Sequence, residues 1–137
     1  FAGLPHRLQL VQEGCYNDSK STTPIATKVA VDSFEDPASI HLIVGGFDKH
    51  IDLSMLAEQS NRVSCLYTIG ETGTKIEALA NGKVQSCETL QQAVASVKEN
   101  MNDGDVVLLS PGCASWDQFN NFEQRGEAFC SLVGSTA

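Results

Sequence analysis

No apolar run in this sequence exceeds four or five residues, far short of a membrane-spanning helix. No charged-then-apolar leader opens it, and the expected compartment is the cytoplasm. Basic side chains are scarce as well: 9 Lys and Arg stand against 17 Asp and Glu, for a net charge of −8, and the basic residues nowhere cluster. A nucleic-acid partner and an anionic membrane surface are therefore both disfavoured. The five cysteines, Cys15, Cys65, Cys87, Cys113 and Cys130, form no CxxC pair and no Cys/His ligand spacing, so no metal site is expected. An odd count fits a reducing compartment, and Cys65 and Cys130, set beside apolar residues, read as small core hydrophobes. Cys113 has no His close in sequence to activate it. Also missing are the phosphate-loop pattern (GxxxxGK followed by Ser or Thr), any internal repeat and any low-complexity linker.

What is there fits one globular domain with a real core: 137 residues, 42% hydrophobic and 19% charged. The opening Phe1–Pro5 reads as if cut from a longer polypeptide. His6–Val11 alternates as a strand, Glu13-Gly14 turns, and Cys15–Asp18 returns as the second arm of a hairpin. Thr23 as N-cap and Pro24 at the first helical position open a helix whose expected buried face is Ile25, Ala26, Val29, Ala30 and Phe34, recurring at helical spacing. Ala38–Val44 is the next strand and ends at Gly45-Gly46. Asp52 caps a helix that turns Leu53, Leu56 and Ala57 inward, and the strand Val63–Ile69 stops at Gly70. Thr74 to Glu77 has the capping-box pattern of another short helix. Asn81-Gly82 turns into a short strand, Val84–Cys87, and Leu90, Ala93, Val94 and Val97 form the stripe of a longer helix. Asn102-Asp103-Gly104 breaks that helix.

Val106–Leu109 then reads as a fully buried strand. Pro111, which has no N–H, and Gly112 end it, and Phe119, Phe122 and Phe129 return at near-helical spacing. The pattern predicts an α/β fold. It is a mostly parallel, doubly wound (Rossmann-like) sheet of about six strands, with helices on both faces and an N-terminal antiparallel hairpin. Right-handed crossovers gather the loops that follow the strands on one edge, where open α/β sheets bind ligands.

Those loops carry the polar residues. Asn17-Asp18-Ser19-Lys20-Ser21-Thr22 offers a cation, hydroxyls and a helix N-terminus, all suited to carboxylate or phosphate. Gly45-Gly46-Phe47-Asp48-Lys49 offers a second cation, and Ser110–Phe122 further hydroxyls and amides. Taken singly, each has a plain alternative: a solvated lysine at a capped helix start, a tight strand exit, a capping Ser115, a core Phe122.

Their wording and order are more specific. Ser110–Gly126, SPGCASWDQFNNFEQRG, resembles the closing motif of the bacterial cell-wall amino-acid ligases, the Mur ligase family, in its D-glutamate-adding branch. The usual form there is SPACAS-x-DQF-x-NFEQRG. The branch's GLPHR, NDSKSTN and GG-x-x-K elements also have counterparts in order, at Gly3–Arg7, Asn17–Thr23 and Gly45–Lys49. Departures are Thr23 for Asn, Gly112 for Ala, and His50 where Gly often follows the lysine.

The resemblance implies the last of three domains of an ATP-dependent amide ligase that joins D-glutamate to UDP-N-acetylmuramoyl-L-alanine through an acyl phosphate. The N-terminal domain, the central domain with its phosphate loop, and the Mg²⁺ ligands would lie outside this chain, which alone is expected to be inactive. Matched position by position, Thr22, Lys49, Ser115 and Phe122 would hold D-glutamate, while Arg7, Asp18 and Lys20 would face ATP. No general base is evident, and His6, His41 and His50 read as structural or surface residues. The alternatives are a sister ligase (diaminopimelate- or lysine-adding, or folylpolyglutamate synthase) and a non-catalytic binding module that keeps only the fold.

Overall fold

The structure is a computed structural model, and it describes residues 5–134. Gly3 and Leu4 of the first motif lie outside them. Six strands form one sheet in the order β1-β2-β6-β3-β4-β5. They are β1 (Gln9–Gln12), β2 (Cys15–Asn17), β3 (Ile40–Gly45), β4 (Cys65–Ile69), β5 (Val84–Glu88) and β6 (Val106–Leu109). β1 and β2 are the antiparallel hairpin, and every other pairing is parallel. The helices are α1 (Pro24–Asp32), α2 (Ser54–Glu58), α3 (Gly73–Leu79), α4 (Leu90–Asn100) and α5 (Phe122–Gly134). The doubly wound sheet read from the sequence is the observed fold.

Strand periodicity divides the core in two, because alternate side chains leave opposite faces. Ile40, Leu42, Val44, Leu66 and Leu108 pack against Ala30 and Val31 of α1, Leu56 of α2 and Ile76 of α3. Ile43, Tyr67, Ile69, Val107 and Leu109 pack on the other face against Val94 and Val97 of α4 and Phe129 and Val133 of α5. β3 and β4 are buried along their whole length, as strands covered on both faces must be.

Several local expectations are corrected. The first strand starts at Gln9, since His6 (φ 62) and Leu8 (φ 44) sit in the left-handed region that no strand uses. Ala38 belongs to a 3-10 turn, Pro37–Ser39, and β3 begins only at Ile40. α1 buries Thr27, Ala30 and Val31, whereas Ile25 and Val29 are 53% and 58% exposed. Thr23 does occupy the N-cap before Pro24, but its side chain makes no capping bond. Asp52 lies one residue before the N-cap Leu53 and accepts from the Ser54 N–H instead. Thr74 is inside α3, and Glu77 accepts from the Thr68 hydroxyl, so no capping box forms there. The box lies instead at Thr89 and Gln92, heading α4. α5 begins at Phe122, capped by Asn121 Oδ1 accepting from the Gln124 N–H (2.7 Å), and Phe119 precedes it.

Candidate functional site

Three parallel neighbours end together. The register sets Asn17 of β2 against Leu109 of β6, and Leu109 against Ile43 of β3, so the loops after these strands leave the sheet side by side. Backbone bonds then tie them. Ser21 C=O accepts from the Gly112 N–H (2.9 Å), Pro111 C=O from the Gly45 N–H (2.9 Å) and Ala114 C=O from the Phe47 N–H (2.8 Å). Gly46 makes the last contact possible, because a Cβ there would stand 2.5 Å from Ala114 O.

Thr22 and Lys49 therefore belong to loops bound directly to the segment that carries Ser115. Ser115 is buried (1% exposed), and its Oγ is the one buried side-chain polar atom among the described residues without a hydrogen-bond partner. Lys49 is exposed, and its Nζ lies 5.0 Å from the centre of the Trp116 ring. Among the described residues it has no ion-pair partner, since the adjacent Asp48 is engaged by Lys75 and lies 3.8 Å from His50 Nδ1. His50 itself adopts φ 60, so the loop keeps the backbone that glycine favours at this position.

Phe122 sits farther round the rim. Its C=O accepts from the Ser19 hydroxyl (2.7 Å), and its half-buried ring faces Lys20 Nζ at 5.7 Å. Arg7, Asp18 and Lys20 share a groove of about 360 Å³ with the apolar Ile25, Ala26 and Val29 of α1. This is where the exposed side of α1 faces: a cationic rim beside an apolar wall. Asp18 is itself 3% exposed, and its carboxylate is taken up internally by the Leu8 N–H and the hydroxyls of Ser21 and Ser110. Burial pushes its carboxyl above the ordinary range, against the pull of those donors. Its structural work is to brace the loop that presents Lys20.

Two further residues build this site without having been singled out in the sequence. Arg125 of α5 is 1% exposed, and its guanidinium donates to Ser19 Oγ (2.9 Å), Ser19 C=O (2.7 Å) and Cys113 C=O (2.8 Å). It clamps the first loop to the third, and it has no carboxylate in ion-pair contact among the described residues. Burial lowers its pKa to about 10, so it remains a buried cation at neutral pH beneath loops suited to an anion. Its signal was visible: Phe122, Arg125, Phe129 and Val133 share one stripe at helical spacing, and an arginine on a buried stripe needs a reason. The second, Asp117, accepts from the Glu71 N–H (3.0 Å) and joins the loop after β4 to the cluster.

The remaining titratable groups stand in other environments. Burial pushes the Cys113 thiol up, away from a thiolate. His41 lies at the opposite, amino edge of the sheet, between Asp105 and Tyr67 (2.8 Å to each). Among the described residues, no three His, Cys, Asp or Glu side chains are grouped to hold a metal, and no helix is long and apolar enough to cross a membrane.

The chain is similar to known proteins in sequence and in fold. The family model described as "Mur ligase, glutamate ligase domain" matches residues 6–113. The UDP-N-acetylmuramoylalanine–D-glutamate ligase of Bacillus subtilis is 40% identical over 141 residues, covering 97% of this chain and 31% of that protein. The protein of the same name from Escherichia coli K12 is 41% identical over 138 residues, covering 97% and 32%. The chain thus spans about a third of the length of these relatives. In fold it is similar to a murein peptide ligase of Psychrobacter arcticus, with a TM-score of 0.65 at 16% identity, covering 100% of this chain and 32% of that one. With a family model matched over most of its length and relatives at this identity, the chain belongs to the Mur ligase family, as its glutamate ligase domain.

Proposed function

We propose that this chain is the C-terminal, D-glutamate-binding domain of an ATP-dependent amide ligase. The whole enzyme would add D-glutamate to UDP-N-acetylmuramoyl-L-alanine in peptidoglycan precursor synthesis in the bacterial cytoplasm. One observation carries the reading: Ser115 Oγ is buried without a partner, in a loop bound to those of Thr22 and the unpaired Lys49. A buried hydroxyl left unsatisfied costs free energy, and a ligand oxygen supplies the missing partner.

In this reaction the γ-phosphoryl of ATP passes to the carboxylate of UDP-N-acetylmuramoyl-L-alanine, giving an acyl phosphate and ADP. The D-glutamate amine then forms a C–N bond to that carbonyl carbon, the C–O bond to phosphate breaks, and the nitrogen loses a proton. This chain's residues position and neutralise. Lys49 supplies the fixed charge a dicarboxylate requires, Thr22 and Ser115 donate hydroxyl hydrogen bonds, and Phe122 walls the pocket. Arg125 adds positive potential from below. In the neighbouring groove, Arg7 and Lys20 offset phosphate charge against an apolar wall suited to a nucleotide base, with Asp18 holding the loop. The phosphate loop and the Mg²⁺ ligands would come from the rest of the enzyme.

Steady-state kinetics on the full-length ligase test this. Lys49→Ala is expected to raise the KM for D-glutamate about ten- to a hundredfold, the worth of a charge-assisted hydrogen bond. Ser115→Ala should raise it about tenfold yet leave the Tm unchanged or higher, because it removes an orphaned buried group. Arg7→Ala should act mainly on kcat or the ATP dependence. If neither Lys49→Ala nor Ser115→Ala moved the D-glutamate kinetics, the site assignment would be wrong.

A further inference from the structure

Trp116 is the chain's sole tryptophan, and it is 59% exposed, an unusual position for so large an apolar surface. It stands next to the orphaned Ser115. Phe47, from the Gly-Gly loop, props it edge-on, with ring centroids 5.5 Å apart and planes at 61°. Over its ring, at 5.0 Å, lies the Lys49 ammonium. The neighbouring acid that would otherwise capture this cation, Asp48, is held by Lys75.

We propose that Trp116 is a positioning residue for Lys49, its indole face holding the ammonium at the mouth of the site and leaving its charge free for a substrate carboxylate. This rests on the reading of Lys49 as a D-glutamate ligand. The physical point is a choice between two kinds of partner. A carboxylate would also fix the lysine, but it would neutralise it and compete with the substrate. An aromatic face attracts a cation without donating or accepting a proton, and it covers only one side of it. The ammonium keeps N–H donors pointing outward, and a flexible side chain is confined before the ligand arrives, which lowers the ordering cost of binding. Phe47 and Lys49 belong to one short loop, so the prop and the cation move together.

Two measurements decide it. In this chain without ligand, all tryptophan emission comes from position 116, and Lys49→Met should shift it; unchanged emission overturns the contact. In the full-length ligase, Trp116→Leu keeps apolar bulk but loses the ring. It should raise the KM for D-glutamate about two- to fivefold, with kcat, the KM for ATP and the Tm unchanged. Trp116→Phe should restore most of the affinity, and Trp116→Leu should add nothing in a Lys49→Met background. If Lys49→Met weakens D-glutamate binding while Trp116→Leu does not, the positioning role is overturned and the site reading stands. If Trp116→Leu lowers the Tm, or raises every KM alike, the residue is structural and the proposal fails. If Lys49→Met leaves D-glutamate binding intact, the reading of the site fails first and the proposal with it.

Discussion

Gly112 is the residue at which this chain and its family's usual motif disagree most instructively. It adopts φ +69, and a Cβ would run into Leu56 Cδ2 and approach Thr27 Oγ1 to 2.8 Å. Thr27 uses that oxygen to donate to Ser110 C=O (2.9 Å). Gly112→Ala, a change toward the family's common residue, is therefore expected to destabilise this chain by about 2 kcal/mol, from the left-handed backbone and the crowding together. A thermal melt should fall by several degrees; an unchanged Tm would mean the loop has another conformation open to it. Lys49 and Ser115 stand out in the sequence because their chemistry fits a ligand, and the structure adds their surroundings: an exposed ammonium over Trp116 and, among the described residues, a buried hydroxyl without a partner. Side-chain roles were not legible where they are internal. Asp18 looked like a free carboxylate, and only folding reveals the three donors that enclose it. For Arg125 the helical stripe could say that the side chain is buried, but not that three oxygens on two loops await it.

Whole elements were easier to read than their faces and ends. β6 and the α4 stripe stand where apolar runs and helical spacing put them, because both are dictated by burial against the sheet. α1 was misread because Ile25 and Val29 share the helical period with Ala30, and hydrophobicity alone cannot say that Ile25 and Val29 line a groove. At the sheet's amino edge, β3 and the turn before β6 meet in a polar pair. His41 faces Asp105, whose carboxyl is held below its ordinary value first by that ring and then by the Asn102 N–H. A carboxylate only accepts, so His41 Nε2 carries the proton; in the neutral ring Nδ1 then accepts from the Tyr67 hydroxyl. The depressed pKa means the folded chain binds fewer protons than the unfolded one below about pH 4. Stability from this pair is present above that pH and lost as pH falls through the folded-state value. Asp105→Asn should therefore lower the Tm at pH 6, with the gap to wild type closing as the melts are moved to pH 3. A constant gap would assign the effect to packing.

At the scale of the molecule, the site is made by topology. Loops from positions 17–22, 45–49 and 110–122 meet because β2, β6 and β3 are adjacent in the sheet, an order no motif announces. The same scale limits what the chain does alone. It has the groove and the cations but no phosphate loop, so purified chain mixed with ATP, Mg²⁺ and D-glutamate is expected to release no phosphate. D-Glutamate-dependent release would refute the division of labour proposed here. Strand order has a consequence for biosynthesis too. Among the described residues β6 is the last strand in chain order, yet it lies between β2 and β3, with only Val106–Leu109 bridging them. Until those four residues clear the ribosome, the hairpin has no bonded neighbour and β3 keeps an open edge, the kind of surface on which nascent chains misassociate. A chain that stops between Gly45 and Val106 thus leaves β2 without its parallel neighbour and β3 with an unpaired edge.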